Sequence, residues 1–210
     1  MIYPRPDLFD LCKVRDTTFW PMHRQELSRT AGGRTQAEDL GSALWRVSVT
    51  TTPAPLADAA DIEAALISLN GSVGSFLAHD VRRPFPRAHA AGDFDDVATI
   101  TALDVNDSAF GVRLAGMPEG FTLSVGDYLG FEYGANQTRA LHMVTVGGLF
   151  DPAGNLDVEV FPAIRPGAQI GAAVTFKRPS CEMILEPGQQ APVITELVAS
   201  SVTFSAIQII

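Results

Sequence analysis

Wherever hydrophobic and polar residues follow a regular pattern in this chain they alternate, and helical spacing appears clearly only once. L-W-R-V-S-V-T-T-T (44–52) sets Trp45, Val47 and Val49 on one side and Arg46, Ser48 and Thr50 on the other. A period of two with β-branched residues predicts a half-buried strand, ended by Pro-Ala-Pro at 53–55. In D-A-A-D-I-E-A-A-L-I-S-L-N-G (58–71), Ile62, Ala65, Leu66 and Leu69 recur at i, i+3, i+4 and i+7, the apolar stripe of a helix facing a core. Asp58 is the expected N-cap, since its carboxylate accepts from first-turn amides. Asp61 and Glu63 lie near the positive end of the helix dipole, and Asn70-Gly71 supplies a left-handed close.

Residues 1–43 show no such period. Prolines stand at 4, 6 and 21 and F-W-P at 19–21, which reads as a short strand or two before a loop over T-A-G-G-R-T (30–35). After the helix, S-V-G-S-F-L-A-H-D (72–80) is the next expected strand. Beyond Gly92 short strands are predicted at 97–105, 110–115, 127–133, 139–146, 156–161 and 172–177. Turn signals separate them at 106–107, 116–120, 134–136 and 151–155. Five or six antiparallel strands in so short a stretch make a small barrel or sandwich. C-E-M-I-L (181–185) follows, then a last strand within 194–210 with Val198, Val202, Phe204 and Ala206 on one face. A terminal strand usually rejoins the sheet of its own domain. The expected organisation is therefore an outer unit of 1–92 with 178–210, interrupted by a β insertion at 93–177.

Composition narrows the function. The chain has 210 residues, 46% hydrophobic and 19% charged, enough to bury a core without covalent staples. A net charge of -9 argues against a reader of nucleic-acid sequence and against adhesion to anionic lipid. No apolar run approaches the ~20 residues that span a bilayer. M-I-Y-P-R-P-D lacks an apolar signal core, which predicts folding in the cytoplasm. Cys12 and Cys181, without any C-x-x-C, read as two buried thiols rather than a disulfide or zinc site.

The candidate chemistry is sparse. Of His23, His79, His89 and His142, no two share the i, i+2 or i, i+4 spacing of a metal site. His79 and Asp80 are neighbours, so on a strand they point to opposite faces. His79 with His89 across the proline turn is the one metal pairing left open. His142, between Leu141 and Met143, reads as part of a β-barrel wall. G-S-V-G-S (71–75) leaves a helix and enters a strand, the reverse of a phosphate cradle. D-F-D-D (93–96) lacks an apolar surround that would raise a carboxyl pKa. No catalytic constellation and no cofactor site emerge.

The densest polar stretch is F-L-A-H-D-V-R-R-P-F-P (76–86). Pro84 disfavours helical geometry at Arg83, and Pro86 repeats the constraint. On an extended chain Arg82 and Arg83 would alternate sides. One guanidinium is then expected to pair at the surface with Asp80, and the other to receive a neighbouring subunit's carboxylate. Asp80, Arg82 and Arg83 are the candidate subunit-interface residues.

Several segments, in order over about residues 44–210, resemble a known family. They are L-W-R-V-S-V, D-I-E-A-A-L-I-S-L-N-G, F-L-A-H-D-V-R-R-P-F-P, S-V-G-D-Y-L-G-F-E-Y, T-R-A-L-H-M-V, V-E-V-F-P-A-I-R-P and V-T-F-K-R-P with M-I-L-E-P. The resemblance is to the distal tail proteins of long-tailed (siphovirus-type) bacteriophages and gene-transfer-agent-like particles. It implies a mainly β protein: a tail-tube-like β-sandwich with one flanking α-helix and an inserted small OB-like β-barrel. It further implies a homo-hexameric ring at the virion tail tip, between tail tube protein and tail hub protein, assembled in the host bacterial cytoplasm. Tape measure protein or DNA would pass its lumen without specific binding, and no catalytic residue, cofactor or membrane is implied. Two other readings compete. One is a carbohydrate- or receptor-binding β module stacking sugars on Trp20, Trp45, Tyr3, Tyr128 or Tyr133. The other is a metal-dependent hydrolase, which the histidine spacing disfavours.

Overall fold

Alternation becomes strand, and the single apolar stripe becomes a helix. The structure, a computed structural model, describes residues 3–29, 32–134, 137–188, 191–196 and 199–210. Over these the protein is mainly β, 45% strand and 11% helix, with two α-helices and several sheets.

The N-terminal region holds a helical turn and a hairpin beyond the short strand or two that its sequence predicts. Helix α1 (Leu8–Leu11) is followed by strand β1 (Val14–Met22) and a hairpin of β2 (Gln25–Arg29) and β3 (Thr35–Asp39). Leu8 and Phe9 of α1 are buried; one turn is too short to display a helical period. Strand β4 (Leu44–Thr51) has the predicted alternation, with Trp45, Val47 and Val49 fully buried. Strand β5 (Ala54–Pro55) leads directly into α2 (Leu56–Ile67). The helix starts ahead of the predicted cap: Pro55 precedes it at φ -48°, and Asp58 lies inside the first turn without capping it. Pro55 is itself the N-cap, extended at ψ 147°, and it brings no amide hydrogen to leave unpaired where the chain passes from β5 into the helix. Ile62, Ala65, Leu66 and Leu69 are buried as the stripe requires, and Asn70 and Gly71 take φ of 53° and 68°.

Strand β6 (Ser75–Ala78) is shorter than expected, because 71–74 form a turn with Val73 exposed. A Cβ at Gly74 would stand 2.6 Å from the Tyr3 ring and 2.8 Å from the Leu69 carbonyl oxygen, so the close approach there requires glycine.

The middle of the chain contains β7 (Thr99–Leu103), β8 (Gly111–Ala115), β9 (Thr122–Leu123), β10 (Tyr128–Tyr133), β11 (Thr138–Val146), β12 (Gly148–Leu149), β13 (Asn155–Phe161) and β14 (Val174–Thr175). The chain ends with β15 (Cys181–Leu185), β16 (Ala191–Glu196) and β17 (Ala199–Gln208). The expected last strand is thus a hairpin, with Val202, Phe204 and Ala206 buried and Val198 outside the described residues.

The larger sheet runs β1-β4-β17-β15-β6, with β5 and β16 also on β17. Register aligns Phe19, Val47 and Ala206 across it, and Met183 with Phe76. This apolar face packs in one cluster with α1, α2, Tyr128 and Leu141. The smaller sheet runs β14-β10-β11-β13-β8-β7, and β9 with β12 forms a two-stranded patch. Its two outer strands approach one another. Ile100 N donates to Ala172 O (3.0 Å), Gly171 N to Ile100 O (2.7 Å) and Val174 N to Ala98 O (2.8 Å). A second apolar cluster, including Ile100, Leu114, Leu129, Val144 and Phe176, fills the space it curves around.

Strands β10 and β11 contribute to both clusters. Tyr128 and Leu141 point to the first, Leu129, Phe131, Ala140 and Val144 to the second. Both cysteines are buried free thiols. Burial pushes the Cys12 thiol up to about 11 and Cys181 higher still.

Candidate functional site

The stretch after β6 folds as a turn. Asp80, buried, accepts from Arg82 N (3.0 Å), Arg82 Nε (2.9 Å), Arg82 Nη2 (2.9 Å) and the Tyr128 hydroxyl (3.3 Å). Its main-chain oxygen accepts from Arg83 N (3.0 Å). An aspartate whose side chain binds the amide two residues on imposes a turn of its own, so Arg82 and Arg83 do not alternate along an extended chain. Nor is the Asp80–Arg82 pair a surface pair: the carboxylate side is 0% exposed and the arginine side 49%. The hydrogen bond to Asp80 raises the Arg82 pKa. Burial, with the Asp80 charge beside it, pushes the Tyr128 phenol far above its ordinary range, so it remains a proton donor.

Arg83 is also engaged within its own chain. Its Nη1 donates to Gly126 O (2.7 Å), and the guanidinium lies 5.9 Å from the centre of the Tyr128 ring, a cation–π distance. Gly126 has φ +89°, and a Cβ there would stand 3.1 Å from Arg83 Nη1. Pro86 starts a 3-10 turn, Arg87–His89. Arg87 N donates to Asp127 Oδ1 (3.0 Å) and Arg87 Nη2 to Val125 O (3.1 Å), while Ser124 N donates to Asp127 Oδ2 (2.8 Å). Arg178 N donates to Pro84 O (2.7 Å). The corner therefore braces the larger sheet against the smaller one. The acceptors of these bonds are buried carboxylates and main-chain carbonyls.

On the outside of this brace, Arg82, Arg83, Phe85, Arg87, Ala90 and Val125 line a groove of about 420 Å³. Asp80 compensates Arg82. Arg83 and Arg87 bond to carbonyls, and among the described residues neither forms an ion pair.

The other candidates disperse. His89 Nε2 accepts from Thr122 N (3.1 Å), and its ring lies flat on Phe121 at 4.0 Å. His79 stands edge-on to Phe9 at 5.5 Å, its pKa lowered chiefly by burial. His23 packs on Phe161, and His142 is buried in β11 against Phe131. Among the described residues no three His, Cys, Asp or Glu side chains gather as metal ligands. Of the candidate sugar-stacking aromatics, Trp45 and Tyr128 are core residues, and Tyr3 donates its hydroxyl proton to Ser68 O. Trp20 and Tyr133 line different grooves.

Three features escaped the sequence reading. Asp127 and Arg87 meet across 40 positions, which no spacing rule reveals. Asp96 of D-F-D-D accepts from Phe176 N (3.1 Å) and Lys177 N (3.0 Å), holding the chain just past β14. The third is the hairpin: all five residues of β2 and all five of β3 are exposed. Its signal was present, as two polar runs flanking Gly-Gly. No family model matches the chain, and none of the curated proteins matches it.

Proposed function

We propose that this protein is a structural subunit of a phage tail tip, one copy of a hexameric ring of distal tail type joining the tail tube to the hub. The observation that carries the reading is the hairpin β2–β3. It leaves the larger sheet with every residue exposed, and a lone two-stranded hairpin is marginal in water. Such an arm is completed by another chain. The larger sheet, its helix and its return strand then correspond to the tail-tube-like sandwich, 1–92 with 178–210. The strands within 93–177 correspond to the OB-like barrel, a reading supported by the bonds between β7 and the run into β14. The -9 charge suits a lumen that lets DNA or tape measure protein pass without sticking.

A carbohydrate-binding module has less support, since two of its five candidate aromatics are core residues. The test is the solution mass and shape of the full chain. Light scattering after gel filtration should show a species several times the monomer mass, increasing with concentration, and negative-stain images should show rings. A monomer at every concentration, alone and with tail tube protein, overturns the reading.

A further inference from the structure

We infer that the hairpin of one copy seats its Glu26–Glu38 face in the Arg83–Arg87 groove of the next copy. The inference rests on the ring reading and names the contact that would build it.

The register of the hairpin pairs Glu26 with Glu38 and Ser28 with Gln36, so these four share one face, while Leu27 and Ala37 share the other. Like charges directly opposite on a two-stranded ribbon are destabilising. Both glutamates are exposed, and among the described residues neither forms an ion pair. The arm therefore carries an anionic face that the described residues of its own chain leave without an ion pair. A partner offering two cations would relieve that repulsion and supply the packing the hairpin lacks.

The groove has the complementary features. Arg83 and Arg87 are each held by one main-chain carbonyl, Gly126 O and Val125 O, which fixes them in place without neutralising them. A guanidinium has five N–H donors, so most remain available to carboxylates in the forked geometry that arginine favours. Half-buried Phe85 and Val125, 61% exposed, add an apolar wall for the hairpin backbone. Asp127 also lines the groove, but its carboxylate is buried and taken up by the main-chain amides of Arg87 and Ser124. On a chain with nine more acidic than basic residues, two fixed arginines outside any ion pair among the described residues form a local exception. Hairpin and groove are different surfaces, so the contact is head-to-tail, the kind that closes into a ring.

The experiment compares the full-length wild type with E26R/E38R, R83E/R87E and an equimolar mixture of the two, by sedimentation velocity at low and high salt. Each variant alone should associate on the order of 100-fold more weakly than wild type, the size expected when charged contacts are reversed. Mixing should restore assembly, because each variant's intact surface meets the other's intact surface and the reversed pair is again complementary. High salt should weaken the wild-type assembly. Far-UV circular dichroism and melting check the fold; if R83E/R87E does not fold, R87E replaces it in the mixture.

An E26R/E38R protein that assembles like wild type overturns the inference and leaves the ring reading intact. So does a folded pair of variants that mixing fails to restore, or an E26R/E38R change that lowers the melting temperature without touching association, which would place the hairpin on its own chain's groove. A wild type that stays monomeric overturns the ring reading and this contact together.

Discussion

The indole Nε1 of Trp45 donates to the main-chain oxygen of Leu141 at 2.7 Å, tying a strand of the larger sheet to a strand of the smaller one. Trp45 is fully buried, and Phe19 and Tyr128 pack on its ring at 5.4 and 5.6 Å. Trp45→Phe removes the donor and part of the ring. It should cost about 2–4 kcal/mol by denaturant unfolding, combining the lost hydrogen bond with a cavity. A loss below about 0.5 kcal/mol would mean that this bond does not couple the sheets.

The Asp80 carboxylate gathers donors from Arg82 and Tyr128 at the brace. Asp80→Asn keeps the shape but removes the charge and turns an amide NH2 toward one set of donors. The expected destabilisation is about 1–3 kcal/mol, moderated because Arg82 is half-exposed. Tyr128→Phe deletes only the longest of these bonds and should cost about 0.5–1.5 kcal/mol. Reversal of that order in urea unfolding would show that Arg82 contributes nothing to the brace.

Helix α2 offers a plain contrast. Leu66 is 5% exposed and packs in the first apolar cluster, so Leu66→Ala should cost about 2–5 kcal/mol. Glu63 is only half-buried and forms no ion pair among the described residues, so Glu63→Ala should stay within about 0.5 kcal/mol. Equal melting temperatures for the two variants would refute the assignment of the buried face.

Strands buried on one face were readable from the chain because each shows its burial every second residue, as in 44–51 and 181–185. Strand β1 was obscured by Arg15, Asp16, Thr17 and Thr18, which face water or the sheet margin. The hairpin has no buried residue, so it leaves no hydrophobic period to read. At the corner the residue types were legible and their geometry was not. Proline logic bears on Arg83 alone, whereas the Asp80 side chain closes a turn over Val81 and Arg82, just ahead of it. Contacts such as Trp45 with Leu141 span 96 positions and exist only after both sheets have formed.

His142 is buried beside Phe131, and its Nδ1 lies 2.7 Å from Pro162 O. A carbonyl only accepts, so Nδ1 carries the proton and the neutral ring is already satisfied there. A second proton would place a charge in the core, and burial accordingly lowers the His142 pKa from 6.5 to about 4. The unfolded chain therefore binds this proton at higher pH than the folded one. The histidine's contribution is present in full above about pH 6.5, is lost as pH falls toward about 4, and changes no further below that. The loss should approach about 3 kcal/mol. His79, whose pKa is also lowered by burial, acts in the same direction. Urea unfolding at steps across that interval should show wild-type stability falling with acid, with a shallower fall in His142→Phe. Parallel slopes for the two proteins would show that His142 is not the group responsible.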